Sequence, residues 1–242
     1  MINFAGVSSD DVNVVVETYP ERQIPERRYT VSQAPGLSGD IVEDETDEAT
    51  YTDVERRYAV YLTNRGGLTP YQESARLAAA WLTRPSGYQP LFDSYDPDTF
   101  CYARFVGPIT FTNAWNELGR AEIVFSCNPW RYYNSGAYAQ ILTMPGVLVN
   151  PSQFASRPLI VVHGSGAGQI EIGGYIIQIS DIDDGMTIDS QLMDCYNGPN
   201  NRNNLVTLTP QFEYPRLVPG ENAVGWSGGV TSLEITPRWR TL

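Results

Sequence analysis

The stretch Arg157-Pro158-Leu159-Ile160-Val161-Val162-His163-Gly164-Ser165-Gly166, continued by Gln169-Ile170-Glu171-Ile172-Gly173-Gly174-Tyr175-Ile176-Ile177-Gln178-Ile179, decides the fold of the last third of the chain. Ile170 and Ile172 flank Glu171 in alternation, two glycines follow, and alternation resumes at Tyr175, Ile177 and Ile179. A Gly-Gly pair between alternating runs predicts a hairpin, because both turn residues need positive φ. Val218-Pro219-Gly220-Glu221 and Leu233-Glu234-Ile235-Thr236 continue the same style, short strands punctuated by glycine turns with no helical period. Residues 151–242 therefore read as an antiparallel β-sandwich domain.

Residues 1–150 read differently. Val12, Val14 and Val16 alternate with Asn13, Val15 and Glu17 as a first strand, and Arg28-Tyr29-Thr30-Val31 forms a second. From Glu55 to Thr63, Tyr58, Val60 and Leu62 share one face, and Ala59 and Tyr61 make the other partly apolar, so this strand is expected to be central. One helix follows. Thr69 is placed to cap it, Pro70 to occupy its first position and Gln72 to complete a capping box. Tyr71, Ala75, Ala78 and Leu82 recur at helical spacing, and Pro85 ends the pattern. Strands are expected over 88–94 and 100–106 around a turn at Asp96-Pro97-Asp98, and over 109–115. After a turn at Leu118-Gly119-Arg120, Ala121, Ile123, Phe125 and Cys127 alternate as one more strand. The expectation is a mainly β protein: an α+β N-terminal domain over 1–150, one helix on antiparallel sheets, joined to the sandwich by a connector from Asn134 onward with a boundary near residue 150.

The chain has 242 residues, a net charge of −12 and sixteen cationic side chains, all arginine. Such an acidic surface opposes tight binding to nucleic acid or to anionic lipid. No window approaches the roughly 20 apolar residues of a membrane helix, and Met1-Ile2-Asn3-Phe4 lacks the basic start of a signal peptide. Cys101, Cys127 and Cys195 are odd in number and form no C-x-x-C, so they read as buried free thiols of a protein assembled in a reducing cytoplasm.

No residue pattern carries chemistry. Gly164-Ser165-Gly166-Ala167-Gly168 follows a strand, but the third glycine of a dinucleotide fingerprint is missing and a strand follows instead of a helix. Ser165 has His163 where a nucleophile elbow needs glycine. His163 is the single histidine, which leaves no zinc site built on two histidines. Asp181-Ile182-Asp183-Asp184-Gly185 lacks calcium-loop spacing and reads as a turn, and Asn197 to Asn204 reads as a polar loop. The acidic run Asp40, Glu43, Asp44, Glu45, Asp47 and Glu48 also lacks that spacing; it reads as a solvated hairpin tip or an acidic contact surface. No cofactor, metal or catalytic set is expected.

An ordered set of short motifs resembles the distal tail protein (Dit) family of long-tailed siphophages. In the first domain these are Gly36-Leu37-Ser38-Gly39-Asp40, the Tyr58–Leu62 strand, Ala80-Trp81-Leu82, Gly87-Tyr88-Gln89-Pro90-Leu91, Tyr95-Asp96-Pro97-Asp98 and Phe125-Ser126-Cys127-Asn128-Pro129 before Tyr132-Tyr133. In the second they are Arg157-Pro158-Leu159-Ile160, Gly164-Ser165-Gly166, Thr187-Ile188-Asp189-Ser190, Pro219-Gly220-Glu221-Asn222 and Thr236-Pro237-Arg238-Trp239. The resemblance implies a structural protein without catalysis, whose first domain assembles into a homo-hexameric ring extending the tail tube. Its second domain would be a galectin-like or jelly-roll sandwich that anchors baseplate or receptor-binding proteins. Tail tube and tail-tip proteins would be its other partners, and the virion tail tip, assembled in the host cytoplasm, its location. An acidic lumen fits such a ring, because carboxylates repel the phosphates of passing DNA; the acidic run is the candidate lining. Two other readings stand beside it, a carbohydrate-binding adhesion sandwich with Trp226 as its platform and a cell-wall hydrolase using two carboxylates that the sequence does not single out.

Overall fold

The protein, described as a computed structural model, is given by residues 1–44, 49–63, 71–114, 118–183 and 185–242. It divides into Met1–Arg131 with Leu242, and Tyr132–Thr241. The division lies at Arg131/Tyr132 rather than near residue 150. The expected connector holds two short strands, Gln140–Leu142 and Gly146–Asn150, that pair within the second unit. Strands this short, set among Gly136, Pro145 and Pro151, leave no periodicity to read.

The first unit contains β1 (Ile2–Phe4), β2 (Val7–Ser8), β3 (Val14–Thr18), β4 (Arg27–Ser32), β5 (Ile41–Asp44), β6 (Thr50–Tyr51), β7 (Val54–Leu62), helix α1 (Tyr71–Thr83), β8 (Gln89–Asp93), β9 (Asp96–Val106), β10 (Thr112–Ala114) and β11 (Leu118–Tyr133). Its main sheet runs β2-β1-β8-β9-β11-β7-β3, with β10 also on β11, while β5-β4-β6 forms a separate small sheet. Tyr58, Val60 and Leu62 of β7 and Ile123, Phe125 and Cys127 of β11 share a core with Ile2, Phe4, Leu91 and the helix residues Ala78, Trp81 and Leu82. Tyr71 and Ala75 pack at its margin. Trp81, outside the expected stripe, is buried because its indole N–H finds the Phe4 carbonyl at 3.2 Å. Thr69 and Pro70 lie outside the described residues.

Four local readings change. The strand expected first is β3, preceded by β1 and β2, and it starts at Val14, because Ser9–Val12 is a 3-10 turn closed by Asn13 in the left-handed region. The β8–β9 turn is Ser94-Tyr95, not Asp96–Asp98: the Asp93 carboxylate accepts from the Tyr95 amide at 2.8 Å and closes the chain two residues earlier. Leu118-Gly119-Arg120 is no turn; it opens β11, with Gly119 opposite Leu62 and Arg120 opposite Tyr61. Gly119 is tolerated in the strand because the Tyr71 ring occupies the space of a side chain there. The strand expected over 109–115 shrinks to Thr112–Ala114, and Trp115 lies outside the described residues.

The second unit contains β12 (Gln140–Leu142), β13 (Gly146–Asn150), β14 (Leu159–Ile172), β15 (Tyr175–Ile179), β16 (Met186–Asp189), β17 (Asp194–Asn197), β18 (Asn200–Asn201), β19 (Val206–Thr209) and β20 (Gly220–Thr236). The Gly173-Gly174 hairpin forms as expected, with φ 56° and 87° and Ile172 opposite Tyr175. The other glycine clusters are not turns. They lie inside two long strands, β14 and β20, whose register shifts where Gly164–Gly168 meets Gly228 and Val230. Backbone touches backbone there: a Cβ on Gly229 would sit 1.8 Å from the Ser165 carbonyl oxygen. Past this point each long strand changes partners. The first half of β14 pairs β16 and its second half pairs β15; β20 pairs β13 and then β12. Ile160, Val162, Ile188, Leu233 and Ile235 from one set and Ile170, Ile172, Ile177 and Val224 from the other belong to one core. The expected sandwich is thus one continuous sheet folded onto itself.

Candidate functional site

Two features of the first unit go beyond what its core requires. The first is the β4–β5 ribbon, with Tyr29 opposite Asp44, Thr30 opposite Glu43 and Val31 opposite Val42. Every β4 residue is exposed. Alternation places Tyr29, Val31 and Val42 on one face, and they remain 47%, 49% and 59% accessible. β6 pairs only Arg27 and Arg28, so from Tyr29 to Ser32 the ribbon is two-stranded, and such a hairpin with no covered face among the described residues is marginal in water. The first part of the expected acidic run rides on it: Asp40, Glu43 and Asp44 are all exposed. Asp44 pairs with Arg27 at 2.6 Å, and Asp40 accepts from the Gln33 amide at 2.9 Å. Glu45, Asp47 and Glu48 lie outside the described residues.

The second feature is where the inward face of the main sheet turns from apolar to charged. On β7 the alternation Leu62, Val60, Tyr58 continues to Arg56; on β11 the alternation Ile123, Phe125, Cys127 continues to Arg131; on β8 Leu91 is followed by inward Asp93. A cavity of about 430 Å³ opens there, walled by Arg22, Arg56, Arg131, Asp93, Asp96 and Tyr95. Arg131 donates from Nε to Thr99 at 3.0 Å and pairs with Asp96 at 2.7 Å. Tyr58 donates to Asp93 at 2.9 Å. Burial, and next the Asp93 charge, push the Tyr58 phenol up, so it stays a donor. Cys101 and Cys127 lie alongside, both buried. A hydrogen bond from the Cys127 thiol, aided by Arg56 and Arg131, holds Cys101 below the ordinary thiol value, while that bond and burial push Cys127 up.

The remaining sequence candidates are structural in their surroundings. Trp226 lies on β20, half-buried against the sandwich core. His163 pairs across the sheet with Glu234 at 2.9 Å. Asp181 accepts from the Asp183 amide within its turn, and Asp184 lies outside the described residues. Cys195 is buried, which pushes its thiol up to about 11. Among the described residues no group of three His, Cys, Asp or Glu side chains is placed to hold a metal ion. No helix among them is long and apolar enough to cross a membrane.

No family model and no curated protein matches the sequence. Solved structures do. The chain is similar to the Dit protein (gp 19.1) of SPP1, a hub of the adsorption apparatus in phages infecting Gram-positive hosts. The identity is 12%, the TM-score 0.69, and the match covers 100% of this chain and 98% of that one. It is also similar to a chain of the phage P2 baseplate in its activated conformation, seen with Ca and with Sr. Each of those matches has 8% identity and a TM-score of 0.51, over 92% of this chain and 90% of the other. With so few identical residues, what is shared is the path of the backbone through both units, and over its full length this chain has a Dit-like, mainly β fold.

Proposed function

We propose that the protein is a structural hub of a phage tail tip or baseplate, in which copies of the first unit join into a ring. The observation that carries this reading is the β4–β5 ribbon. Its Tyr29, Val31 and Val42 face has nothing behind it among the described residues, and a second copy supplies the missing layer. The Dit-like fold supports the same reading. In a hexameric ring Asp40, Glu43 and Asp44 would line or rim the lumen and keep DNA phosphates from adhering. The second unit, a closed sandwich, would project from the ring and anchor baseplate or receptor-binding proteins at the virion tail tip.

The test is the native mass of the full chain, with negative-stain images of the same sample, for wild type and for Val31→Asp. A ring-sized particle with a central hole in wild type, lost in a folded Val31→Asp, is the expected result. A wild type that stays monomeric at its highest soluble concentration, also when mixed with its tail tube protein, sinks the reading.

A further inference from the structure

The charged end of the first unit's sheet has the construction of a binding site, and nothing in the hub reading uses it. The cavity holds about 430 Å³, far more than a lone ion or water fills. Three guanidinium groups converge on it from different parts of the chain: Arg22 from the loop after β3, Arg56 from β7 and Arg131 from β11. Arg131 is 8% exposed, and Thr99 and Asp96 fix its orientation. Arg22 is tethered through the main-chain oxygen of Leu242 at 2.8 Å.

Arg56 is the unusual member. Burial works against its charge, but Cys101, Cys127 and Tyr58 beside it outweigh burial and hold the guanidinium firmly protonated. The two inward carboxylates of the wall are already engaged: Asp93 accepts from Tyr58 and from the Tyr95 amide, and Asp96 pairs with Arg131. Glu21 stands at the exposed rim. A half-buried guanidinium and a second, buried one facing the same cavity offer paired forks to an anion between them. Arg131 is shifted the other way: burial first, then the Arg56 charge, lowers its affinity for a proton despite Asp96.

We propose that this cavity binds an oxyanion, a carboxylate or a phosphate, between the Arg56 and Arg131 guanidinium groups, with Arg22 closing over it from the rim. Planar forks of this kind match two oxygens of one anionic group, which a lysine would not. The volume accommodates a small polycarboxylate or phosphorylated molecule, or an aspartate or glutamate side chain presented by another copy. The site stands independently of ring formation, since every residue in it comes from one chain.

Calorimetric titration of inorganic phosphate, and separately of citrate, into the full chain tests it, with ionic strength held constant by sodium chloride. Saturable binding is expected. Arg56→Gln should weaken it at least about tenfold, and Arg56→Lys, which keeps the charge and loses the fork, should weaken it less. Arg104→Gln, at an exposed position of β9, should leave it unchanged. If Arg56→Gln fails to fold by circular dichroism, Arg22→Gln at the exposed rim takes its place, with an expected loss of about threefold. Native mass distinguishes the sources. Anion binding without a change in mass assigns a free small molecule, whereas a mass lowered by phosphate or by Arg56→Gln assigns an acidic side chain of another copy. Heats equal in Arg56→Gln and Arg104→Gln, together with an unchanged native mass, overturn the proposal.

Discussion

Two antiparallel strand pairs in this protein have opposite fates. The β4–β5 ribbon in the first unit is exposed on both faces, and its apolar residues Tyr29, Val31 and Val42 stay in water. The β14–β20 pair in the second unit is longer, bends at its glycines and closes Ile160, Ile170, Leu233 and Val224 into a dry core. The backbone hydrogen bonding is of the same kind. What differs is a second layer: the second unit's pair has one from its own strands, and among the described residues the first unit's ribbon has none.

The largest expected effect falls on the pair that is complete. Gly229→Ala should cost more than about 4 kcal/mol, since the added Cβ meets the Ser165 main-chain carbonyl and not a flexible side chain. Thermal unfolding of the full chain would show the second unit melting early with the first unaffected. Equal melting of both units, or none lost, would break the contrast.

A smaller effect concerns how the sandwich is tied at its end. Asp189, 3% exposed, accepts both Arg238 nitrogens at 2.7 and 3.0 Å together with the Gln191 and Leu192 amides. Burial alone would raise its carboxyl, but the Arg238 and amide bonds outweigh that and lower it. A folded-state value below the unfolded one, about 3.9, means stability that is fully present above that value and lost as pH falls through the folded-state one. Asp189→Asn should cost about 2–3 kcal/mol at neutral pH, the range of hydrogen bonds to a charged group, and should flatten the acid limb of a stability–pH curve. A variant as acid-labile as wild type would place that limb elsewhere.

The smallest effect falls on the incomplete pair. Val31→Thr should change the stability of the isolated chain by no more than about 0.5 kcal/mol, because Val31 buries little there. The same substitution should weaken self-association, measured by sedimentation. A large loss of monomer stability would mean that the ribbon packs on its own chain.

Much of the fold was legible because period-2 alternation survives wherever one face is buried. Tyr58-Val60-Leu62, Ile123-Phe125-Cys127 and the Gly173-Gly174 hairpin are where the pattern predicts them. Glycine misleads where it serves close approach instead of turning: Gly164–Gly168 resembles a turn in sequence, and only the opposing Gly228-Gly229 reveals the contact. Edge strands such as β12 and β13 were hidden because few residues and one-sided pairing leave no period. The arginine-lined cavity was within reach. Carrying the alternation one step beyond Tyr58, and two beyond Cys127, arrives at Arg56 and Arg131 on the inward side. Which cationic groups share a cavity, however, depends on the sheet order, which no local pattern encodes.

The long strands of the sandwich also have a mechanical meaning. β14 and β20, at 14 and 17 residues, each run through both halves of the domain. A pull along their axes loads a whole ladder of hydrogen bonds at once, in shear, instead of opening them one by one as peeling an edge strand would. Force arriving at one end of the domain is therefore carried to the other by two unbroken chains, so the halves move as one body under tension.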